Sequence, residues 1–218
     1  MKIVKFIKDK LTGFQKAKTI QNIAIFGSSH AEEGSRVVND AFQVCKTLAL
    51  SGYTVVNGGG SGVMKAATLG AKEGGGEVIG VTLTEGSIPN FEGHDPKNLF
   101  DKEIKTKSYV ERTLALMSAG QVYVVFNGGT GTISEFGMAW GLAKLYFGHH
   151  KPLILYGKFW ENIIEAFKEN MLMRSQELEV YKIVETPEEV LQAIRDFEDE
   201  LGRGEHEHMK AVKSDFNL

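Results

Sequence analysis

The chain has 218 residues, of which 42% are hydrophobic and 24% are charged, and its formal net charge is −3. This is the composition of an ordinary globular domain, and the slightly acidic charge excludes a protein that binds nucleic acid mainly by electrostatic attraction. The single cysteine, Cys45, excludes an intramolecular disulfide, and no apolar run approaches the roughly 20 residues of a membrane span, so we expect a soluble, cytoplasmic protein.

The two ends of the chain differ from the part between them. Apolar residues recur at helical spacing between lysines near the N-terminus, which predicts an amphipathic helix over residues 1–20. This helix either packs on the domain or a dimer partner, which we favour, or lies at a membrane surface. Residues 203–218 form a polar tail, and we interpret its Glu205-His206-Glu207-His208 as a solvated, mobile end rather than a metal site.

Between these ends, apolar runs of strand length alternate with helical periodicity, which is typical of one α/β domain over residues 21–202. The predicted strands lie at residues 22–26, 53–56, 77–82, 121–126, 152–156 and 180–184. The predicted helices lie at about 37–48, 62–73, 105–119, 131–146 and 159–173, with a last helix opening at Pro187. Because the strands are nearly continuous Val/Ile runs, we expect a single parallel sheet with helices on both faces. The polar stretch at about 84–104 is long for a connection and is predicted to be a lid or binding loop.

Three glycine clusters follow predicted strands. They are Gly27-Ser28-Ser29, Gly58-Gly59-Gly60-Ser61-Gly62 and Gly128-Gly129-Thr130-Gly131-Thr132. In parallel sheets, ligands bind beyond the carboxyl ends of the strands. The third cluster also opens a helix, whose N-terminus has unpaired N–H groups and a partial positive charge. It therefore predicts a phosphate site to which Thr130 and Thr132 add hydroxyl donors; the alternative is a tight turn that needs glycine only for a positive φ.

Two common phosphate-binding motifs do not match the sequence. There is no Gly-Lys-Ser/Thr, so the third cluster is not a Walker A loop. The first strand runs into Gly27-Ser28-Ser29-His30-Ala31, which lacks the dinucleotide fingerprint, and no acidic residue follows the second strand. The sequence therefore disfavours an NAD(P)-dependent oxidoreductase.

Two charged residues near the third cluster are of interest. Glu135 lies one helical turn inside the helix that begins there, so its carboxylate is expected beside the phosphate site. In that position it either has a chemical role or complements the helix dipole. Arg112 lies about 200° around its helix from Val110, off the apolar line, and spacing alone favours an exposed arginine.

The second and third clusters resemble the Lonely Guy (LOG-like) Rossmann family. Residues 58–67, Gly-Gly-Gly-Ser-Gly-Val-Met-Lys-Ala-Ala, are similar to its Gly-Gly-Gly-Pro-Gly-Ile-Met-Glu-Ala-Ala. Residues 127–135, Asn-Gly-Gly-Thr-Gly-Thr-Ile-Ser-Glu, are similar to its Pro-Gly-Gly-x-Gly-Thr-x-x-Glu, and the resemblance covers about residues 22–170. Characterised members are cytokinin riboside 5′-monophosphate phosphoribohydrolases, and many members were formerly labelled lysine decarboxylases.

The resemblance implies a Rossmann-like fold and hydrolysis of the N-glycosidic bond of a nucleoside 5′-monophosphate, which releases free base and ribose 5-phosphate without a cofactor or metal. Arg112 and Glu135 hold the positions of the arginine and glutamate that work together in the family. Glu135 would stabilise an oxocarbenium-like transition state and deprotonate water, while Arg112 would orient Glu135 and keep it ionised. The residues implied to bind phosphate or nucleotide are Gly27, Ser28, Ser29, Gly58, Gly59, Gly60, Gly62, Met64, Gly128, Gly129, Thr130, Gly131 and Thr132.

The chain departs from the family pattern at four positions. Asn127 and Ser61 replace prolines, Lys65 replaces a glutamate, and Thr113 stands where a lysine usually follows the arginine. The phosphate-facing glycines are retained, whereas Lys65 and Thr113 move positive charge around the pocket. The alternative function is a non-catalytic binder or carrier of a nucleotide or phosphorylated cofactor, as in a related branch of the fold that carries molybdenum cofactor.

The family resemblance also implies a homodimer. The helix after the third cluster has an apolar surface that could form the dimer contact, and a monomer would rarely expose such a patch. Its apolar residues are Phe136, Met138, Trp140 and Tyr146.

Overall fold

The computed structural model of the protein describes residues 20–84, 95, 97–145 and 152–203. They form a sheet of seven parallel strands in the order β4-β3-β2-β1-β5-β6-β7. The strands are β1 (Asn22–Phe26), β2 (Thr54–Asn57), β3 (Val78–Leu83), β4 (Lys102–Thr106), β5 (Val122–Val125), β6 (Leu153–Tyr156) and β7 (Tyr181–Val184). The helices are α1 (Arg36–Leu50), α2 (Val63–Glu73), α3 (Tyr109–Ala119), α4 (Thr130–Leu145), α5 (Phe159–Asn170) and α6 (Pro187–Arg203), with a 3₁₀ turn at Ser175–Leu178. The predicted α/β class with one Rossmann-like parallel sheet is confirmed.

Both faces of the sheet are covered by helices. In β1, Ile23 and Ile25 belong to a core shared with α1, α2 and α6, while Ala24 and Phe26 belong to a core shared with α3, α4 and α5. The same alternation runs through the other central strands, since successive side chains of a strand point to opposite faces. Two apolar faces explain why the central strands read as continuous Val/Ile runs rather than as alternating patterns.

The direction in which successive strands are added to the sheet reverses after β4, at β1, and this reversal determines where a ligand can bind. β2, β3 and β4 lie on one side of β1, whereas β5, β6 and β7 lie on the other. The register pairs Phe26 of β1 with Val125 of β5 and Ala24 with Val56 of β2, so the loops after these three strands emerge side by side. A reversal of this kind leaves a crevice at the carboxyl ends of the strands where ligands bind.

The prediction of a polar loop at about 84–104 is wrong at its C-terminal end. Residues Lys102–Thr106 form β4, which pairs with β3 at the edge of the sheet. Its one apolar residue, Ile104, is only partly buried, and a charged, half-exposed edge strand of this kind shows no apolar run in the sequence. The following helix starts at Tyr109 rather than at 105, because the side chain of Ser108 accepts a hydrogen bond from the Glu111 N–H at 3.1 Å and caps it.

Several predictions concern residues outside the described ranges. Residues 1–19 of the predicted N-terminal helix, and all but the first residue of the predicted tail at 203–218, are among them. Ile20, the first described residue, is buried, and its N–H lies 3.4 Å from Oε1 of Glu198 on α6. Across the ranges that the structure describes, no helix is both long and apolar enough to cross a bilayer.

Candidate functional site

The three glycine clusters meet around Ser28. Its N–H donates to the carbonyl of Asn127 at 3.1 Å, and its carbonyl accepts from the N–H of Val63 at 2.9 Å. The hydroxyl of Ser61 donates to the carbonyl of Ser29 at 2.6 Å. The loop after β1 is therefore tied to the third cluster on one side and to the second cluster on the other, and one crevice is formed by all three.

The fold itself requires four glycines of the first and second clusters. A Cβ on Gly58 would overlap the guanidinium of Arg112, and a Cβ on Gly27 would overlap the side chain of the first residue of α2. Gly59 and Gly62 have φ angles of 76° and 58°, in the left-handed region that favours glycine. These glycines are explained by packing and backbone conformation, so their presence does not by itself indicate a ligand.

Two buried asparagines hold the second cluster in place. The Oδ1 atom of Asn57 accepts from the N–H of Gly59 at 2.8 Å. Nδ2 of Asn98 donates to the carbonyls of Gly59 and Gly60 at 2.8 and 2.7 Å. Sequence reasoning missed both residues. An asparagine directly before a glycine at the end of a strand is a turn signal that could have identified Asn57, whereas Asn98 comes from the polar stretch before β4, where no motif marks it.

Lys65 and Thr113, the two departures from the LOG pattern that change charge, have partners within the chain. Lys65 Nζ lies 3.6 Å from Oδ2 of Asp95, so part of its charge is neutralised beside the second cluster. The hydroxyl of Thr113 is buried and donates to the carbonyl of Tyr109, four residues earlier in α3, at 3.0 Å.

The third cluster forms the N-terminus of α4. Gly129 is the N-cap residue, because its carbonyl accepts from the N–H of Ile133 at 3.0 Å. The hydroxyl of Thr132 is packed over Gly128, where a Cβ would overlap it, and Thr132 is buried. Thr130 is exposed, so its hydroxyl is the one that faces outward. The N–H groups of the first turn have no acceptor within an α-helix and carry its positive partial charge.

Gly129 and Gly131 differ from the glycines of the second cluster. Neither is among the glycines of the described chain that have a positive φ. Among the described residues, a Cβ on Gly129 would meet nothing within 4 Å, and one on Gly131 would meet only the hydroxyl of Tyr109 at 3.6 Å. The alternative of a turn that needs a positive φ is therefore wrong for both positions. Glycine within a helix costs roughly 0.5–1 kcal/mol relative to alanine, and the bare backbone leaves the space that an anion occupies at a helix N-terminus.

Arg112 is buried, which contradicts the exposed position predicted from helical spacing. Its Nε donates to the carbonyl of Val81 at 3.1 Å, and its Nη2 donates to the carbonyl of Gly58 at 2.8 Å and lies 3.7 Å from Sδ of Met64. The guanidinium thus ties α3 to the carboxyl ends of β2 and β3. Position around a helix could not reveal this, because the acceptors are backbone atoms of distant strands. Burial lowers the pKa of Arg112, an effect that the charge of Glu135 opposes.

Glu135 is also buried, with its Oε1 3.9 Å from Nη1 of Arg112. Burial raises the pKa of Glu135 to about 7, although the charge of Arg112 acts in the opposite direction. Arg112 thus favours the ionised form, as expected, but desolvation outweighs this attraction and the pKa of Glu135 stays above its ordinary value. A carboxyl group with this pKa can accept or donate a proton near neutral pH, which is the property required of a general acid or base.

The apolar residues of α4 only partly form the predicted outer surface. Phe136 and Trp140 are buried: the ring centroid of Phe136 lies 4.7 Å from that of Trp160, and Nε1 of Trp140 donates to a carbonyl of the 3₁₀ turn at 2.6 Å. These two rings belong to the core of the chain, so the prediction that they form a dimer surface is wrong. Met138 is exposed, and Tyr146 lies outside the described residues.

Two solved structures and one further protein are similar to this chain. The structure of the molybdenum cofactor binding protein of the phototrophic bacterium Rippkaea orientalis has a TM-score of 0.60 and 24% identity, covering 81% of this chain and 96% of that chain. The X-ray structure of TM1055 has a TM-score of 0.62 and 27% identity, covering 81% and 99%. An uncharacterized protein of Archaeoglobus fulgidus is 26% identical over 138 residues, which are 63% of this chain and 85% of that protein.

The family model that matches is that of the SLOG cluster4 family, over residues 20–190. This range contains all seven strands, the three glycine clusters, Arg112 and Glu135. The chain belongs to the SLOG cluster4 family.

Proposed function

We propose that this protein binds a phosphorylated small molecule, either a nucleotide or a phosphorylated cofactor, with the phosphate at the N-terminus of α4. The observation that carries the proposal is the bare backbone of Gly129 and Gly131, for which the described structure gives no packing or conformational reason. Glycine at these positions lets an anion approach the first N–H groups of the helix, where the helix dipole stabilises it. The hydroxyl of Thr130 and the loop containing Ser28 border the same space.

A binder or carrier accounts for most of the site without a chemical step. The buried guanidinium of Arg112 has a structural task, because it donates hydrogen bonds to the backbone carbonyls of Val81 and Gly58 at the ends of two strands. Gly58, Gly59 and Gly62 of the second cluster are likewise explained by the fold. A protein of the same fold in Rippkaea orientalis binds molybdenum cofactor, which supports a phosphorylated cofactor as one class of ligand.

Calorimetry with AMP and with ribose 5-phosphate tests phosphate binding. Gly129→Asp places a carboxylate where the anion would lie, yet aspartate is among the preferred N-cap residues, so the variant should fold at least as stably as the parent. We expect AMP affinity to fall by roughly tenfold or more, since each tenfold corresponds to about 1.4 kcal/mol. Gly129→Asn is the matched control, because it has nearly the same shape and capping ability without the charge, and it should lose less affinity. If Gly129→Asp binds both compounds as the parent does, the phosphate site lies elsewhere.

Hydrolysis of the N-glycosidic bond of a nucleoside 5′-monophosphate is the second candidate function. It is favoured by one observation, the buried Glu135 with a pKa of about 7 one turn inside the helix that would hold the phosphate. In its ionised form Glu135 would take a proton from water as the oxygen attacks the anomeric carbon, and it would stabilise positive charge on the ribose as the base departs. Incubation with a panel of nucleoside monophosphates, followed by chromatography of the released base, tests this function.

We also propose that the protein is a homodimer, as the LOG-like resemblance implies. With Phe136 and Trp140 inside the core, a different part of α4 supports the contact. Its exposed face carries Ile133, Met138 and Leu145, together with two glycines at 137 and 141 that have no described atom within 4 Å of a built Cβ. Small residues on a helix let another backbone approach closely, and the surrounding apolar side chains give such a contact buried area.

A further inference from the structure

Tyr109, the first residue of α3, lies beside the N-terminus of α4. Its hydroxyl oxygen is 2.8 Å from Oγ of Ser134, and Ser134 donates to the carbonyl of Gly131 at 2.8 Å. A serine hydroxyl has one proton, so Tyr109 is the donor in its contact with Ser134. This chain of two hydrogen bonds holds the phenol in place between α3 and the first turn of α4.

The Tyr109 ring borders the site rather than the core. Its hydroxyl lies 3.6 Å from the position that a Cβ on Gly131 would take, and its side chain is half-buried. Arg112, one helical turn further along α3, is buried against Glu135. Side chains therefore link the start of α3 to the first turns of α4 twice, through Tyr109 with Ser134 and through Arg112 with Glu135.

We propose that the ring of Tyr109 is the surface on which the flat heterocycle of the ligand stacks. This inference rests on the proposed function, because it places the phosphate of the same ligand at Gly129 and Gly131. A hydrogen bond at the end of the phenol fixes its orientation before the ligand arrives, so little side-chain freedom is lost on binding. Stacking on an aromatic ring tolerates different bases, since each has a π-face. Tyr109 would thus select compounds that carry both a phosphate and an aromatic ring, without specifying which ring.

The test compares AMP, which has the ring, with ribose 5-phosphate, which lacks it. We expect Tyr109→Leu to weaken AMP binding by about 10- to 100-fold, the range seen when a stacking aromatic is removed. Binding of ribose 5-phosphate should change by less than about twofold, because the phosphate contacts are untouched. Tyr109→Phe keeps the ring and should bind AMP within about threefold of the parent. Calorimetry gives the affinities, and circular dichroism confirms that each variant is folded.

A second measurement uses the unaltered protein. Nuclear Overhauser contacts between the Tyr109 ring protons and the base protons of bound AMP should be present, and Tyr109→Phe assigns them. Equal losses of AMP and ribose 5-phosphate in Tyr109→Leu would overturn the inference, because Tyr109 would then act only through the first turn of α4. Unchanged AMP binding, or the absence of the ring contacts, would overturn it while leaving the phosphate site intact. A parent that binds neither compound would overturn a nucleotide as the ligand of the proposed function, and this inference with it.

Discussion

Nη1 of Arg112 and Oε1 of Glu135 lie 3.9 Å apart in a buried part of the site, and the pKa of the carboxyl is nevertheless about 7. In a close bidentate ion pair, the two side chains would be joined by shorter hydrogen bonds and the carboxyl pKa would fall. Here Nε and Nη2 of the guanidinium donate to the carbonyls of Val81 and Gly58 instead. Arg112 therefore acts mainly as a hydrogen-bond donor to the ends of β2 and β3. Glu135 can consequently gain or lose a proton near neutral pH.

Replacing Glu135 by glutamine should stabilise the unliganded protein at alkaline pH. The native pKa of about 7 lies above the ordinary value of 4.5, so the native state binds more protons than the unfolded state between these values. Stability contributed by this group is therefore lost as the pH rises through that window. Protonated glutamate and glutamine are nearly equivalent at about pH 4 to 5, whereas at about pH 8 the variant should melt a few degrees higher.

Thermal unfolding of both proteins over this pH range measures the effect. The difference in Tm between variant and parent should grow up to about pH 7 and then level off. If the difference is the same at every pH, Glu135 does not titrate in this window and its raised pKa is wrong.

Replacing Arg112 by alanine should destabilise the fold by about 2–4 kcal/mol, since the carbonyls of Val81 and Gly58 would lose a buried, charged donor and Glu135 would lose its partner. Arg112→Lys should fall between the parent and the alanine variant, because an ammonium keeps the charge but not the fork geometry. Arg36→Ala is the control. Arg36 is 88% exposed and paired with Asp40 at 3.5 Å, so its loss should change stability by about 0.5 kcal/mol or less. Urea unfolding compares the three variants. Equal midpoints for Arg112→Ala and Arg36→Ala would show that the hydrogen bonds of Arg112 do not contribute to stability.

The arrangement of the sheet and the meeting of the glycine clusters were predictable because each depends on a local pattern. Continuous apolar runs identify strands that are buried on both faces, and parallel strands bring their following loops to one edge. β4 has no such pattern, because an edge strand needs little apolar surface. Among its five residues, Lys102 to Thr106, only Ile104 is apolar.

The environments of single side chains were less predictable. Arg112 and Phe136 are both buried by contacts with parts of the chain far from them in sequence, the strand-end carbonyls for one and α5 for the other. The direction of the Glu135 pKa shift depends on the same long-range packing. The family motifs therefore identified Arg112 and Glu135 from the sequence. The protonation state of Glu135 could be inferred only from its three-dimensional surroundings.

Gly131→Ala and Gly141→Ala should separate the binding role of glycine from its effect on the helix. Both residues lie in α4, and in the described structure neither would bring a Cβ closer than 3.6 Å to another atom. Alanine favours the helix by roughly 0.5–1 kcal/mol relative to glycine, so both variants should be as stable as the parent or more so. Only Gly131→Ala should weaken AMP binding, by about tenfold, because its methyl group enters the phosphate space. Parallel calorimetry and thermal melts decide the matter, and equal AMP affinities in the two variants would contradict the assignment of Gly131.

Gly137→Arg should disrupt the proposed homodimer. A Cβ on Gly137 meets no described atom within 4 Å, so an arginine at this position can be accommodated within the chain. On an exposed helix face in contact with a second copy, the same side chain would prevent close approach. Light scattering at micromolar concentration should give about twice the chain mass of 24.0 kDa for the parent and about that mass for the variant. A monomeric parent refutes the dimer, and a dimeric variant shows that any interface lies away from this face.

The hydrolase and carrier functions differ in what they predict for Glu135→Gln. If Glu135 acts on an N-glycosidic bond, the variant should release base about 10²- to 10³-fold more slowly while binding AMP almost normally. Release by the parent should also rise with pH through about 7, because the ionised carboxylate is the form that accepts a proton. Glu161→Gln, which removes an exposed carboxylate from α5, is the control and should leave the rate unchanged.

The parent protein decides between the two functions before any variant is compared. A carrier should bind a phosphorylated ligand and release no base from any nucleoside monophosphate in the panel. In that case Glu135→Gln should retain ligand affinity, and its only consequence should be the pH-dependent gain in stability. Release of base that does not respond to Glu135→Gln would contradict the catalytic role of this residue, and the activity would then belong to another group or to a contaminant. If the parent releases base and Glu135→Gln abolishes the release without weakening AMP binding, the protein is a hydrolase, because Glu135 then acts on the chemical step rather than on binding.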